Sequence, residues 1–282
     1  MTPLSTLVIS DMLLQPLFFP WTLAFLSSSS ITKLEITSWN TPTGTWSALL
    51  CSVVIANLEV LSLHFMGNCV ELTPSFVDLE NFFARHPRIH TLQLRSMLNQ
   101  PQASTFTEAI LPNLSSLTGH PVYVCSFLQM QNSHPDTLLH LKSVSLLPVY
   151  SFFNSTFNYD IFDTALAQLA DSSGNNITLT LFLMYPASAW FENHVVLGPS
   201  KSVLCRLTCV SYLEISRGYN SENVMCTKAT LLDWLGLFPS LEFVMFTRFS
   251  AEDETSLKEV AFLGLVIAKC PRIKAIRIGD LK

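Results

Sequence analysis

Three stretches share one phrase: Pro87-Arg-Ile-His-Thr-Leu-Gln-Leu94, Pro239-Ser-Leu-Glu-Phe-Val-Met-Phe246 and Pro271-Arg-Ile-Lys-Ala-Ile-Arg-Ile278. Each reads Pro-x-(Leu/Ile)-x-x-apolar-x-apolar. Looser copies without the proline are Ile31-Thr-Lys-Leu-Glu-Ile36, Leu58-Glu-Val-Leu-Ser-Leu63 and Val210-Ser-Tyr-Leu-Glu-Ile215. The paired apolar residues at spacing two mark a short β-strand with one buried face. A phrase that returns at intervals of a few tens of residues marks a repeat protein.

Aligned on the first residue of that apolar pair, the repeats fall at Leu7, Leu34, Leu61, Leu92, Leu117, Val144, Leu179, Leu213, Val244 and Ile276. The shortest interval is 117 − 92 = 25 residues and the longest 179 − 144 = 35. Leu179 is the least constrained assignment, because Ile177-Thr-Leu-Thr-Leu-Phe-Leu183 alternates so evenly that a two-residue shift also fits.

Between phrases the periodicity turns helical. Thr73 and Pro74 read as the cap and first position of a helix burying Phe76, Leu79 and Phe83. A second helix over 160–170 presents Ile161, Ala165, Leu166 and Leu169, and a third, over about 253–269, presents Leu257, Val260, Ala261, Leu263 and Leu265. Pro87, Pro112, Pro239 and Pro271 stop the helices and set the chain extended. Strand, loop, helix and stop, repeated about ten times, is the grammar of an α/β leucine-rich-repeat solenoid. The expectation is one domain over 1–282, an irregular horseshoe with parallel strands on the concave side and helices on the convex side. Residues 1–30 form its irregular N-terminal edge.

The formal net charge is −5, without a basic stripe, so the footprint of a nucleic-acid binder is missing. Charged residues make up only 13 %, about half the usual share, and apolar types 49 %. This fits a continuous core under a surface built from Ser, Thr and Asn. Seven scattered cysteines without a Cys-x-x-Cys motif read as thiols in a reducing compartment, cytoplasm or nucleus, with Cys205 and Cys209 buried. The apolar segment 13–26 lacks a basic flank and is interrupted by Pro16 and Pro20, unlike a secretory signal. No uninterrupted apolar run is long enough for a membrane span.

The chain resembles the F-box-associated leucine-rich-repeat proteins of mushroom-forming fungi. The resemblance rests on repeats of this length and on Leu111-Pro-Asn-Leu-Ser-Ser-Leu-Thr-Gly119-His-Pro121, where Gly119 replaces an apolar residue and Pro121 opens a helix. It implies a substrate-binding repeat domain of a ubiquitin ligase subunit. The cullin-RING adaptor would be a partner only if an F-box lies upstream, since Leu4-Ser-Thr-Leu-Val-Ile-Ser10 already reads as a repeat strand.

No phosphate loop or nucleophile elbow occurs, and His86 and His90 are separated by Pro87, which breaks the helical spacing zinc ligands need. Glu252-Asp253-Glu254 reads as the favourable acidic start of a helix. No catalytic residue, metal or cofactor is therefore expected, and the chain reads as a non-enzyme.

The functional surface is expected on the outward strand positions. These are polar in the first half, where they include Arg95 and, following the next phrase, His120. In the second half Tyr212, Glu214, Phe243, Met245 and Arg277 bring the residue types that dominate binding hot spots. The expected partner is a protein captured on this face. Two alternatives remain open: an orphan or truncated repeat protein without a ligase role, and a secreted repeat receptor glycosylated on Asn113, Asn154 or Asn176.

Overall fold

The computed structural model describes residues 4–65, 73–95, 110–133, 140–148, 158–171, 176–184, 187–217 and 226–279. It is an α/β fold in which strands alternate with helices along the chain. The chain divides near Leu141–Lys142 into two compact units, each described by itself.

Unit 1 carries strands β1 (Thr6–Ser10), β2 (Lys33–Ser38), β3 (Val60–Phe65), β4 (Thr91–Arg95) and β5 (Ser116–Gly119). Its helices are α1 (Asp11–Leu14), α2 (Phe19–Ser28), α3 (Thr43–Ser52), α4 (Phe76–Arg85) and α5 (Pro121–Ser133). Unit 2 carries β6 (Ser143–Leu146), β7 (Ile177–Leu183), β8 (Val210–Arg217), β9 (Phe243–Thr247) and β10 (Ala275–Ile278). Its helices are α6 (Asp160–Asp171), α7 (Ala187–Leu197), α8 (Lys228–Leu235), α9 (Ala251–Leu257) and α10 (Val260–Lys269), with a 3-10 turn at Val203–Arg206. Within each unit every strand lies parallel to its neighbours, and the strand order follows the chain.

The repeat alignment becomes the register of the ladder. In unit 1 Leu7 pairs with Leu34, Leu34 with Leu61, Leu61 with Leu92 and Leu92 with Leu117. In unit 2 Val144 pairs with Leu179, Leu179 with Leu213, Leu213 with Val244 and Val244 with Ile276. The ambiguous strand β7 thus takes the register centred on Leu179, with an irregularity absorbed between Ile177 and Thr178. The inward residues are nearly all solvent-free, and each fully buried Leu or Ile contributes roughly 1.5–3 kcal/mol.

The proline of the phrase does more than end a helix. Pro87 is the second residue of a β-turn closed by Ile89 N–H on the His86 carbonyl at 3.1 Å, and Pro271 repeats this with Ile273 on Cys270 at 3.0 Å. A fixed φ suits that position. Ala56 stands there in the copy at Ile55–Leu58, whose turn closes at 3.1 Å, so the turn survives without proline. Ile89, Ile273 and Leu58, the residues that leave these turns, are buried. Gly119 gives room to the adjacent strand: a Cβ there would stand 3.3 Å from the Leu94 carbonyl oxygen, a tight contact that a shift of a few tenths of an ångström would relieve.

Three helix readings need correction. The first helix begins at Phe76, capped by Ser75, whose hydroxyl accepts from Asp78 N at 3.1 Å and donates to its carboxylate at 2.7 Å. Thr73 is instead buried and offers its carbonyl to Thr43. On α6 the buried position is Phe162, with Ile161 at the margin. The last long helix is two helices, because Glu259 adopts a non-helical conformation (ψ 129°). The restart turns Phe262 and Val266 inward and leaves Val260 85 % exposed, with Leu265 also open. The acidic helix start holds as read: Ser250 caps α9 by accepting from Asp253 N, with Glu252, Asp253 and Glu254 in the first turn.

Candidate functional site

The outward positions of β7 to β10 form the candidate site. Inward residues fix each strand's pleat, so the alternate residues are turned to the opposite face by the period of two. Register then aligns Thr178, Tyr212, Phe243 and Ala275 in one row, and Thr180, Glu214, Met245 and Arg277 in the next. A third row holds Phe182, Ser216 and Thr247.

The first two rows interlock. The Tyr212 ring stacks on Phe243, with centroids 6.3 Å apart and planes inclined by 24°, and its hydroxyl donates to Met245 Sδ at 3.0 Å. Met245 is buried beneath this pair, whereas Phe243 keeps 38 % of its surface open. Glu214 is held between two threonines: Thr180 Oγ1 donates to it at 3.3 Å and Thr247 Oγ1 at 3.0 Å. Arg277 is exposed on the edge strand and makes no ion pair among the described residues. Burial pushes the Tyr212 hydroxyl up in pKa, Glu214 adds to this, and Arg277 opposes it. The phenol therefore stays protonated and available as a donor.

Of the seven residues singled out in the sequence, five thus gather in unit 2. Arg95 and His120 belong to unit 1. Arg95 ends β4, exposed, donating to Gln93 Oε1 at 3.2 Å. His120 leaves the strand face altogether. It precedes α5, its carbonyl accepts from Tyr123 and Val124 N–H, and its Nδ1 accepts from Val122 N at 3.4 Å. Burial depresses its pKa to about 4, so the ring is a neutral acceptor at the helix start. His64 remains on the outward row, half-buried against Ser62 at 2.9 Å, its pKa lowered first by burial and then by Arg95.

The patch extends further than the sequence suggested. Phe182 lies outward on β7, and the Arg248 guanidinium sits over its ring at 5.6 Å. Ser216, between Phe182 and Thr247, is buried, and its Oγ has no hydrogen-bond partner among the described residues. The even alternation of β7 concealed the rows of Phe182 and Thr180, since a two-residue shift keeps each side chain on its face but changes which residues of β8 it stands beside.

A second polar cluster was not anticipated. His194 on α7 contacts Asp163 Oδ1 on α6 through Nε2 at 3.0 Å and Ser202 Oγ through Nδ1 at 2.9 Å. Trp190 Nε1 donates to the same Asp163 oxygen at 2.8 Å. Asp, His and Ser in one chain of hydrogen bonds resemble a nucleophilic triad by residue type. The geometry supports a strut instead. Ser202 is buried, and its Oγ also accepts from Leu204 N at 3.3 Å as the cap of the 3-10 turn. A cleft of about 520 Å³ beside the cluster is lined by Asp160, Asp163, Trp190 and His194, and Ser202 is not among its lining residues. The missed signal is the spacing: 194 − 163 = 31, one repeat.

The same step recurs in side-chain bonds elsewhere. Asp78 accepts from Ser47 at 2.5 Å, His86 Nε2 accepts from Ile55 N at 2.9 Å, and Arg88 donates to Asn57 at 2.8 Å. Arg206 pairs with Asp171, and Arg272 donates to the Pro239 carbonyl. These bonds join each repeat to the one before it. Asn113 takes part, donating to the Pro87 carbonyl at 3.0 Å; Asn154 and Cys69 lie outside the described residues. Cys209 is buried and Cys205 half-buried, and burial raises both thiol pKa values. Among the described residues no three His, Cys, Asp or Glu side chains group as a metal site, and no helix is long and apolar enough to cross a membrane.

The fold and its open sheet face define the class: an α/β protein of parallel strands in chain order, each unit stacking repeats through one inward ladder. No family model, curated protein or solved structure matches the chain.

Proposed function

We propose that this chain is a non-catalytic protein-recognition module of the leucine-rich-repeat type, a horseshoe that captures a partner on its open, concave strand face. One observation carries the reading. Tyr212 and Phe243 form a stacked aromatic pair supported from below by Met245 and bordered by Arg277. Rigid aromatics beside an arginine supply much contact area with little side-chain entropy to lose. The finer reading, a substrate-binding domain of an F-box-type ubiquitin ligase subunit in cytoplasm or nucleus, rests on the resemblance of the repeats and of the Leu111–Pro121 phrase. Engagement of the cullin-RING adaptor requires an F-box in the same polypeptide.

The test is quantitative affinity capture with the wild-type chain and with Tyr212→Ala/Phe243→Ala/Arg277→Ala, followed by titration of the purified partner. The triple variant is expected to lose at least 100-fold in affinity while its melting temperature stays within about 2 °C. That corresponds to at least two hot-spot residues of about 2 kcal/mol each, allowing for non-additivity. Unchanged affinity in the triple variant removes the open face as the capture surface.

A further inference from the structure

The cleft of about 520 Å³ beside the Asp163 cluster lies between the start of α6 and one side of α7, within unit 2 and away from the strand rows of the capture surface. Its volume falls in the range of small-ligand sites. Two carboxylates line it. Asp160 is exposed, and its hydrogen bonds to Asn158 and from Thr164 run through its backbone, not its side chain. Asp163 keeps 35 % of its side chain open, and Trp190 and His194 engage only its Oδ1. The strut thus holds this carboxylate in place while Oδ2 takes no partner among the described residues. Three residues apart on one helix, the two acids have Cβ atoms about 5–6 Å from each other. Among the described residues no Lys or Arg lines the cleft, and segment 149–157, which leads into it, has no charged residue in its sequence. Other acids of unit 2 are treated differently: Asp171, Asp233, Glu242, Asp253, Glu254 and Glu259 each pair with a Lys or Arg.

We propose that this cleft binds a primary ammonium carried on an aliphatic stem, either the side chain of a lysine in another protein or a free aliphatic amine. The two carboxylates select a cation, and the rest of the lining selects its kind. Val196 is 86 % exposed and Leu197 44 %, and with the Trp190 ring they form an apolar wall one turn along α7 from Asn193. Asn193, exposed on the same side, adds a neutral side-chain acceptor. A bare metal ion would leave the wall unused, and no three His, Cys, Asp or Glu side chains among the described residues group to hold one. An ammonium has three donors, enough for both carboxylates and Asn193, and a methylene stem covers apolar surface while its head stays with the charges.

The experiment is calorimetric titration of the full chain with Nα-acetyl-lysine N-methylamide and with 1,5-diaminopentane, followed in parallel by the indole N–H resonance of Trp190, which donates to Asp163. At least one probe is expected to bind with a Kd below about 5 mM and to shift that resonance. Tighter binding of the lysine derivative assigns the cleft to a protein partner, and tighter binding of the diamine to a free amine. Asp160→Asn and Val196→Lys, both at exposed positions, should each raise the Kd at least about fivefold with the melting temperature unchanged. The triple variant of the strand face should leave it unchanged, which keeps this inference apart from the capture surface. A Kd above about 5 mM for both probes overturns the proposal. Equal binding of the Nε-acetylated lysine derivative, or a Kd indifferent to Asp160→Asn and Val196→Lys, overturns it equally.

Discussion

The outward rows of the two units sit on the same kind of ladder and carry different chemistry. In unit 1, Ser62 bonds His64 and Gln93, and Gln93 also receives Arg95, so the row satisfies itself with polar contacts between neighbours. In unit 2, Tyr212, Phe243 and Met245 stack, and Arg277 stands at their margin. Inward, the units match: Leu61 and Leu92 in one, Leu179 and Leu213 in the other, all fully buried. The difference teaches that the inward residues hold the repeats together and leave the outward ones free to diverge. Divergence towards large amphipathic side chains in one unit only is what marks a surface for contact.

The largest expected effect tests the inward equivalence. Leu92→Ala in unit 1 and Leu213→Ala in unit 2 should each cost about 2–5 kcal/mol, the range for a large cavity in a packed core. Chemical denaturation measures this, and a loss below 1 kcal/mol at either position would show that its unit does not depend on the ladder. Next comes the strut of unit 2. Asp163→Ala leaves the buried His194 and the Trp190 indole without their acceptor and should cost roughly 2–3 kcal/mol. Asp163→Asn, which keeps an oxygen for Trp190, should cost less. Unchanged stability in Asp163→Ala would mean that Asp163 is not the anchor, and equal losses in the two variants that its charge is required and an oxygen alone does not suffice.

Acid should separate the units. His64, His86 and His120 of unit 1 all have lowered pKa values, led in each case by burial, with His120 at about 4. The unfolded chain binds these protons more readily, since its histidines titrate near 6.5. Stability from the neutral rings is therefore present above pH 6.5 and is lost as pH falls from 6.5 towards 4. Protonation of His120 also removes the acceptor that meets Val122 N–H. Hydrogen exchange followed from pH 7 to pH 4.5 should show α4 and α5 losing protection before α7 and α8. His120→Asn should reduce the loss at α5 by on the order of 1–2 kcal/mol. Simultaneous loss in both units contradicts the assignment.

Much of the fold was legible because one phrase encodes both the turn and the inward pair. Ile89, Leu92 and Leu94 fall on spacings that only a strand leaving a turn can satisfy, and ten such positions fix the register. Helix limits were less legible. Ser75 and Thr73 are both competent caps, and only the distance to Asp78 N decides between them. The restart at Glu259 carries no Gly or Pro to announce it, which is why Val260 and Leu265 read as core. At the site, the residue types of Tyr212, Phe243 and Arg277 were readable, but the burial of Met245 under the ring pair and the withdrawal of His120 to a helix start depend on tertiary placement. The Asp163–His194–Ser202 strut was hidden because its members meet across one repeat and belong to no local motif.

The most direct measurement places a photoreactive phenylalanine analogue at position 93 of unit 1 and, separately, at position 243 of unit 2, and compares crosslinking to the captured partner. Both positions point outward from mid-sheet strands, so folding should be unaffected. The account predicts adducts from position 243 at least ten times more abundant than from position 93. Equal yields, or a higher yield from position 93, would contradict the claim that the aromatic row of unit 2 is the surface that binds.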